Sequence, residues 1–145
     1  RLEASSTGFT SGAILSSTSA QGAETRLSVL GLLANTTYTI RLAALNWNNR
    51  PSYALDGASS TLTNLLAGGQ FGAVMATSVT VNWQAFPTAP QPATSEGYLL
   101  EASTAADFSG TLLSSQTAGV QPSTLTLTGL AGGTTYYFRA GALNW

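Results

Sequence analysis

The sequence predicts an all-β protein built from β-sandwich modules in tandem, and three observations support this fold class. Short segments alternate apolar with polar residues, which is the period of a strand with one buried face. The clearest of these segments, residues 129–145, has an earlier copy at residues 31–47. The copies align without a gap at an offset of 98 residues, with 21 identities over residues 1–47. A period near 100 residues fits a seven-stranded sandwich and is too long for a solenoid repeat.

The first module is predicted to occupy residues 1–64 and to consist of the back half of a sandwich. Leu27, Val29 and Leu32 place a strand over residues 27–32, and a further strand begins at Tyr38 after a short turn. Residues 59–63 are the best candidate for the last strand. By alignment with the second module, this one lacks its first two strands.

The second module is predicted over residues 65–145 and begins with a weak strand somewhere in residues 69–76, where glycines lower the strand propensity. A clearer strand follows at residues 78–83. A loop with three prolines then leads to a strand whose inner face begins at Tyr98, and a short strand follows at residues 111–114.

The last strands of the second module are predicted from alternating leucine and threonine up to Leu130, and from the alternating residues 136–143. No sequence remains for a seventh strand, so this module lacks its last one. The predicted core comprises Val79, Val81, Trp83, Tyr98, Leu100, Leu125, Leu127, Leu130, Tyr136 and Phe138.

The end of each copy resembles a fibronectin type III module, an immunoglobulin-like β-sandwich. The resemblance rests on an apolar alternation, Gly-Leu, a short turn with threonine, and then Tyr-x-Phe-Arg-x-x-Ala-x-Asn in the second copy. It implies bacterial-type tandem modules with a tyrosine corner, in which Tyr38 and Tyr136 bond through their hydroxyls to upstream backbone. It also implies that Trp83 is the core tryptophan of the second strand. The proline common in this turn of the family is absent.

The composition excludes several classes of function. Charged residues make up 8% of the chain, histidine and cysteine are absent, and the net charge is −1. The chain therefore lacks the basic cluster that nucleic acid requires and the ligands that most metal sites use. No apolar run is long enough to span a bilayer. Since residue 1 is Arg1 and not Met, we expect the true N-terminus and any targeting segment to lie upstream.

The sequence predicts no catalytic residues, cofactor or metal site. Six carboxylates have no histidine partner, and no serine lies in a nucleophile elbow. Glu101 and Arg139 are predicted to face outward from neighbouring strands, as are Glu3 and Arg41. We interpret both as cross-strand ion pairs worth roughly 0.2–1 kcal/mol.

Two functions remain open from the sequence. The first is a structural repeat of an extracellular or cell-surface protein, either part of a longer array or a protomer of a fibre completed by strands of neighbouring copies. The second is an adhesive or carbohydrate-binding module appended to a larger extracellular protein, with surface glycans as partners and Tyr137, Trp145 and Tyr53 as contact residues. The open backbone edge of residues 136–143 favours the first.

Overall fold

The chain folds into β-strands and one short 3-10 turn at Gln91–Ala93, as seen in a computed structural model. The structure describes residues 1–20 and 22–145, except for the side chain of Leu55. Two compact units are present, Arg1–Thr61 and Leu62–Trp145. The strands are β1 (Leu2–Ser5), β2 (Leu15–Ser17), β3 (Thr37–Leu45), β4 (Pro51–Ser60), β5 (Gln70–Val74), β6 (Ser78–Asn82), β7 (Gly97–Ser103), β8 (Leu112–Gln116), β9 (Thr124–Thr128) and β10 (Tyr137–Leu143).

The first unit forms one antiparallel sheet in the order β2-β1-β3-β4. Its longest pairing is the β3–β4 hairpin, in which Leu45 lies opposite Pro51 and Thr37 opposite Ser60. The Asn46 side chain holds the connecting turn, since its Oδ1 accepts the backbone N–H of Arg50 at 2.9 Å. The hairpin thereby places β4 along the whole length of β3.

The prediction of the last strand of this unit at residues 59–63 is wrong, because β4 runs from Pro51 to Ser60. The sequence hides β4 because Pro51, Asp56 and Gly57 are residues with low strand propensity. The strand forms nevertheless, because the tight turn delivers it to the nine-residue ladder that β3 offers. Backbone pairing with β3 therefore outweighs the low strand propensity of the residues in β4.

The strand predicted at residues 27–32 is also absent. In the second unit the equivalent segment, β9, pairs with β6, where Val79 lies opposite Leu127. No strand equivalent to β6 lies in the described part of the first unit. Residues 27–32 therefore have no ladder to join, and Leu27, Val29 and Leu32 are only half-buried.

The second unit is a sandwich of two three-stranded sheets, β5-β6-β9 and β10-β7-β8. All pairings are antiparallel, with Val81 opposite Leu125 in one sheet and Glu101 opposite Arg139 in the other. The weak strand predicted within residues 69–76 is β5, and the one predicted at residues 111–114 is β8, shifted by one or two residues. The all-β sandwich predicted from the sequence is therefore present.

The core of the second unit lies between these sheets. Seven of its residues were named from the sequence and are buried: Val79, Val81, Trp83, Tyr98, Leu100, Leu127 and Leu130. Leu125, Tyr136 and Phe138 pack against this core but are only partly buried. The last two lie on or beside β10, which forms one edge of its sheet, so their outer sides have no covering strand.

Both copies contain the predicted tyrosine corner. The hydroxyl of Tyr38 accepts the backbone N–H of Leu33 at 3.0 Å, and that of Tyr136 accepts the N–H of Ala131 at 3.1 Å. Each corner is preceded by a glycine with positive φ, Gly31 at 79° and Gly129 at 82°, a region that other residues rarely adopt. The repeated Gly-Leu therefore marks a repeated turn.

Candidate functional site

Acidic residues in the described chain, residues 1–20 and 22–145, do not gather into a site. No group of three or more carboxylates with metal-binding spacing occurs there. No described helix is long and apolar enough to cross a membrane. The charged residues that do meet form two repeated clusters, one in each unit.

The first cluster is centred on Glu3, which is almost fully buried. One carboxylate oxygen accepts from Arg41 Nε at 2.6 Å and from the hydroxyl of Tyr53 at 3.0 Å, and the other contacts Arg1 Nε at 2.7 Å. The predicted pairing of Glu3 with Arg41 is confirmed. Tyr53, predicted as a surface contact, is 43% exposed, and its hydroxyl bonds to Glu3 in this cluster.

Two aromatic rings enclose the Arg41 guanidinium of the first cluster. Its central carbon lies 3.8 Å from the centre of the Phe9 ring and 4.0 Å from the centre of the Tyr53 ring. Contacts of a cation with an aromatic face are each worth about 0.5–1 kcal/mol at exposed sites. Arg41 is thus held by a carboxylate, an upstream hairpin and a downstream strand.

These contacts shift the titration of the cluster. Burial raises the pKa of Glu3, but hydrogen bonds from Arg41 and Tyr53 and the charges of Arg1 and Arg41 outweigh it, so the pKa is lowered from its usual 4.5. Burial and the bond to Glu3 raise the pKa of the Tyr53 hydroxyl. The negative carboxylate is therefore the form that the fold stabilises.

We expect Glu3→Gln to lower the free energy of unfolding of the first unit by about 1–3 kcal/mol at pH 7, because it removes charge-assisted hydrogen bonds. Because the pKa of Glu3 is lower in the folded than in the unfolded chain, its ionised carboxylate stabilises the fold above pH 4.5. This stabilisation is lost as the pH falls through the pKa of the folded state. The parent should therefore be nearly insensitive to pH between 5 and 8 and should lose stability below 4.5, where the difference from Glu3→Gln narrows.

Urea unfolding of both proteins from pH 2 to 8 measures this difference, with Glu24→Gln as the control for loss of one exposed carboxylate. If the difference in free energy of unfolding between the parent and Glu3→Gln stays constant from pH 8 to pH 2, the Glu3 carboxylate is not the group whose ionisation stabilises the fold.

The second cluster repeats the Glu–Arg pair and the hairpin phenylalanine of the first, but it has no counterpart of Arg1, which aligns with Leu99, or of Tyr53. Arg139 Nε donates to Glu101 at 2.5 Å, which confirms the predicted pair, and the Phe108 ring lies 4.1 Å from the guanidinium. No residue takes the place of Tyr53 in the described part of the second unit. The side chain of Arg139 is 56% exposed against 23% for Arg41, and that of Glu101 is 14% exposed against 3% for Glu3.

Phe9 and Phe108 were not foreseen from the sequence. Both lie in the hairpin between the first two strands of their sheet and both have positive φ, 64° and 61°. They are one position out of register in the alignment, so the repeat alone does not match them. The available signal was that each copy has an aromatic residue in this hairpin and an arginine on a later strand of the same sheet.

The free side of β10 is open in the described part of the chain, because its sheet ends there. The Leu143 carbonyl accepts from Glu96 N–H on the β7 side, so by alternation Phe138, Ala140 and Ala142 turn their backbone groups to the free side. One of these groups has a local partner, since Thr63 Oγ1 donates to the Ala142 carbonyl at 3.3 Å. Six backbone groups are thus directed to an edge without a strand.

Two cavities of about 280 Å³ each lie between β5 and β10, and Phe138 lines both. The Phe71 ring of β5 meets the Phe138 ring edge-on, with 5.4 Å between ring centres. Trp83 lines the first cavity, and its buried Nε1 has no hydrogen-bond partner within residues 1–20 and 22–145. The sandwich is therefore incompletely packed along the open edge.

Two of the aromatic residues proposed for ligand binding, Tyr137 and Trp145, lie at and beyond opposite ends of β10. Tyr137 and Trp145 are both exposed. Tyr137 begins β10, and Leu143 at its other end is six residues or about 20 Å away at roughly 3.3 Å per residue, which is already more than one sugar ring spans. Trp145, unlike Tyr137, lines a cavity of about 350 Å³. The other side chains that line it include the carboxylate of Glu96 and the polar groups of Thr88, Gln91, Thr94 and Ser95.

The chain matches no protein-family model and no curated protein. Among solved structures it is similar to a two-domain fibronectin type III segment of chicken tenascin, at 22% identity and a TM-score of 0.50. That match covers 81% of this chain and 63% of the tenascin segment. A match to the FN1–FN3 domains of chicken CNTN1 has 14% identity and a TM-score of 0.48, and covers 99% of this chain and 49% of that one. The fold is fibronectin type III-like.

Proposed function

We propose that this chain is a non-catalytic structural repeat of a secreted or cell-surface protein, part of a longer array or of a fibre completed by neighbouring strands, in which a further strand covers the free edge of the second unit. The observation that carries the proposal is the open edge of β10. In the first unit β4 covers the equivalent side of β3 along its whole length. Because the two copies align at a fixed offset, the same position beside β10 is the natural place for a strand.

Exposed apolar residues beside the edge support completion by a strand. Phe71, Val74 and Met75 of the β5 segment are all more than half exposed. Apolar groups of this size next to unpaired backbone mark surfaces that associate. The low content of charged residues, 8%, offers little repulsion between copies in an array or a fibre.

An extended chain tests this proposal. A second copy of residues 48–61 is appended after Trp145, which aligns with Trp47, so the extension continues the repeat in register. We expect the amides of Phe138, Ala140 and Ala142 to exchange with solvent at least about tenfold more slowly, because they gain acceptors. Hydrogen exchange measured residue by residue gives the answer, with Arg139 and Gly141, which turn their backbone groups towards β7, as internal controls.

The matched control carries the same appended residues in scrambled order. Exchange at the three edge amides that is no slower with the ordered extension than with the scrambled one would overturn completion by a strand.

A second candidate function is carbohydrate binding at the cavity beside Trp145. An exposed indole next to a carboxylate and polar side chains is chemistry that stacks on a sugar ring and bonds its hydroxyls. A glycan array probed with the parent, with Trp145→Ala and with Trp47→Ala tests it. Binding that only Trp145→Ala removes supports this function, and binding by none of the three, or by all equally, excludes it.

A further inference from the structure

The first cluster contains two residues that the second does not, Arg1 and Tyr53. Arg1 aligns with Leu99, and Tyr53 comes from β4, which has no counterpart in the described part of the second unit. Tyr53 lies on β4 opposite Ala43 of β3 and reaches across to Arg41 and Glu3. In the second unit, Gly141 aligns with Ala43, Arg139 with Arg41 and Glu101 with Glu3. They keep the charged pair and leave the place of Tyr53 open.

The place for a ring beside Arg139 is sterically free. A Cβ built on Gly141 would meet nothing within 4 Å. Phe108 already contacts the guanidinium, as Phe9 does in the first unit. Arg139 and Glu101 are more exposed than Arg41 and Glu3, as expected where the Tyr53 ring and the Arg1 side chain have no counterpart.

We propose that the free edge of β10 is a recognition site for an antiparallel strand of the β4 type. Its tyrosine lies opposite Gly141, its ring stacks on Arg139, and its hydroxyl donates to Glu101. The backbone of the strand bonds to Phe138, Ala140 and Ala142, and its inward residues lie over the two cavities beside Phe138. The inference rests on the proposed function and adds the register and the side chain that select the strand.

The backbone and the tyrosine of the incoming strand contribute differently to the selection of that strand. Backbone pairing with the edge is available to any extended peptide, so it gives affinity without choice. The tyrosine adds a cation–π contact and a hydrogen bond to a carboxylate, and both depend on its position along the strand. A strand displaced by one residue would turn this side chain to the opposite face. The cluster therefore fixes the register of the incoming strand.

The extended chain described above also tests this inference, through two substitutions within the appended copy. Tyr53→Ala removes the ring and the hydroxyl, and we expect exchange at Phe138, Ala140 and Ala142 to become about tenfold faster than with the unaltered extension. Tyr53→Phe keeps the ring, and we expect about a threefold change. Replacing Arg139 by Gln in the extended chain should match Tyr53→Ala, whereas Arg26→Gln, which removes an exposed arginine of the first unit, should have no effect.

The outcomes separate the inference from the function on which it rests. Equal protection by the unaltered and the Tyr53→Ala extensions would overturn the recognition site and leave strand completion intact. A lack of protection with every extension would overturn both. A loss of protection with Arg26→Gln as large as with Arg139→Gln would also overturn the recognition site, because the effect would then not be local.

Discussion

Replacing Trp83 with alanine is expected to lower the free energy of unfolding of the second unit by about 3–5 kcal/mol, the range for truncation of a large buried aromatic residue. Trp83 is 6% exposed, and its ring lies 5.0 Å from that of Tyr98, centre to centre. It also lines the cavity under the open edge, so the space that it leaves would be continuous with an existing void. A domain with roughly 5–15 kcal/mol of stability is left marginal by such a loss.

Urea unfolding followed by far-UV circular dichroism, with hydrogen exchange to assign the transition to the second unit, measures this loss. The matched control is Trp145→Ala, which deletes the same side chain where it is 65% exposed and should change stability by less than about 0.5 kcal/mol. Equal midpoints for the two variants would show that Trp83 does not hold the core.

Adding two front strands to the first unit is expected to give the largest gain in stability. A copy of residues 65–98 placed directly before Arg1 continues the repeat in register, since Leu99 aligns with Arg1. Residues 27–32 should then become a strand, as β9 is a strand beside β6. Burial of Leu27, Val29 and Leu32 with their new partners removes roughly 300–500 Å² from water, or up to about 10 kcal/mol at about 25 cal/mol per Å².

The restored protein is compared with the parent by hydrogen exchange over residues 27–32 and by urea unfolding. Its control carries Val81→Asp within the added copy, which buries an unpaired charge and should abolish the gain. If the unaltered copy leaves exchange at residues 27–32 as fast as in the parent, their lack of a strand has a cause other than the missing partner.

The first module shows where prediction from the sequence fails. Residues 27–32 have the right alternation and still form no strand, whereas residues 51–60 contain proline, aspartate and glycine and form the longest one. Alternation reports which face a strand would bury, but a strand exists only where a second backbone supplies hydrogen-bond partners. That second backbone is distant in sequence, so local pattern does not contain the information.

The candidate site was likewise predicted only in part from the sequence. Glu3 with Arg41 and Glu101 with Arg139 were predicted, because the repeat and the alternation place each pair outward on adjacent strands. The roles of Phe9, Phe108 and Tyr53 were not, because each reaches its arginine from a turn or from a third strand.

The sequence by itself determined the all-β sandwich, the repeat of 98 residues, most of the core of the second unit and both tyrosine corners. These features depend on period, on turn residues and on self-similarity, all of which are local or internal to the sequence. Only the tertiary structure decided which segments pair, where the ladder of β10 stops, and that the Glu3 cluster is closed while the Glu101 cluster is open. The physical reason is that backbone pairing and burial depend on the neighbouring strand, which β4 supplies for β3 and which no described residue supplies on the free side of β10.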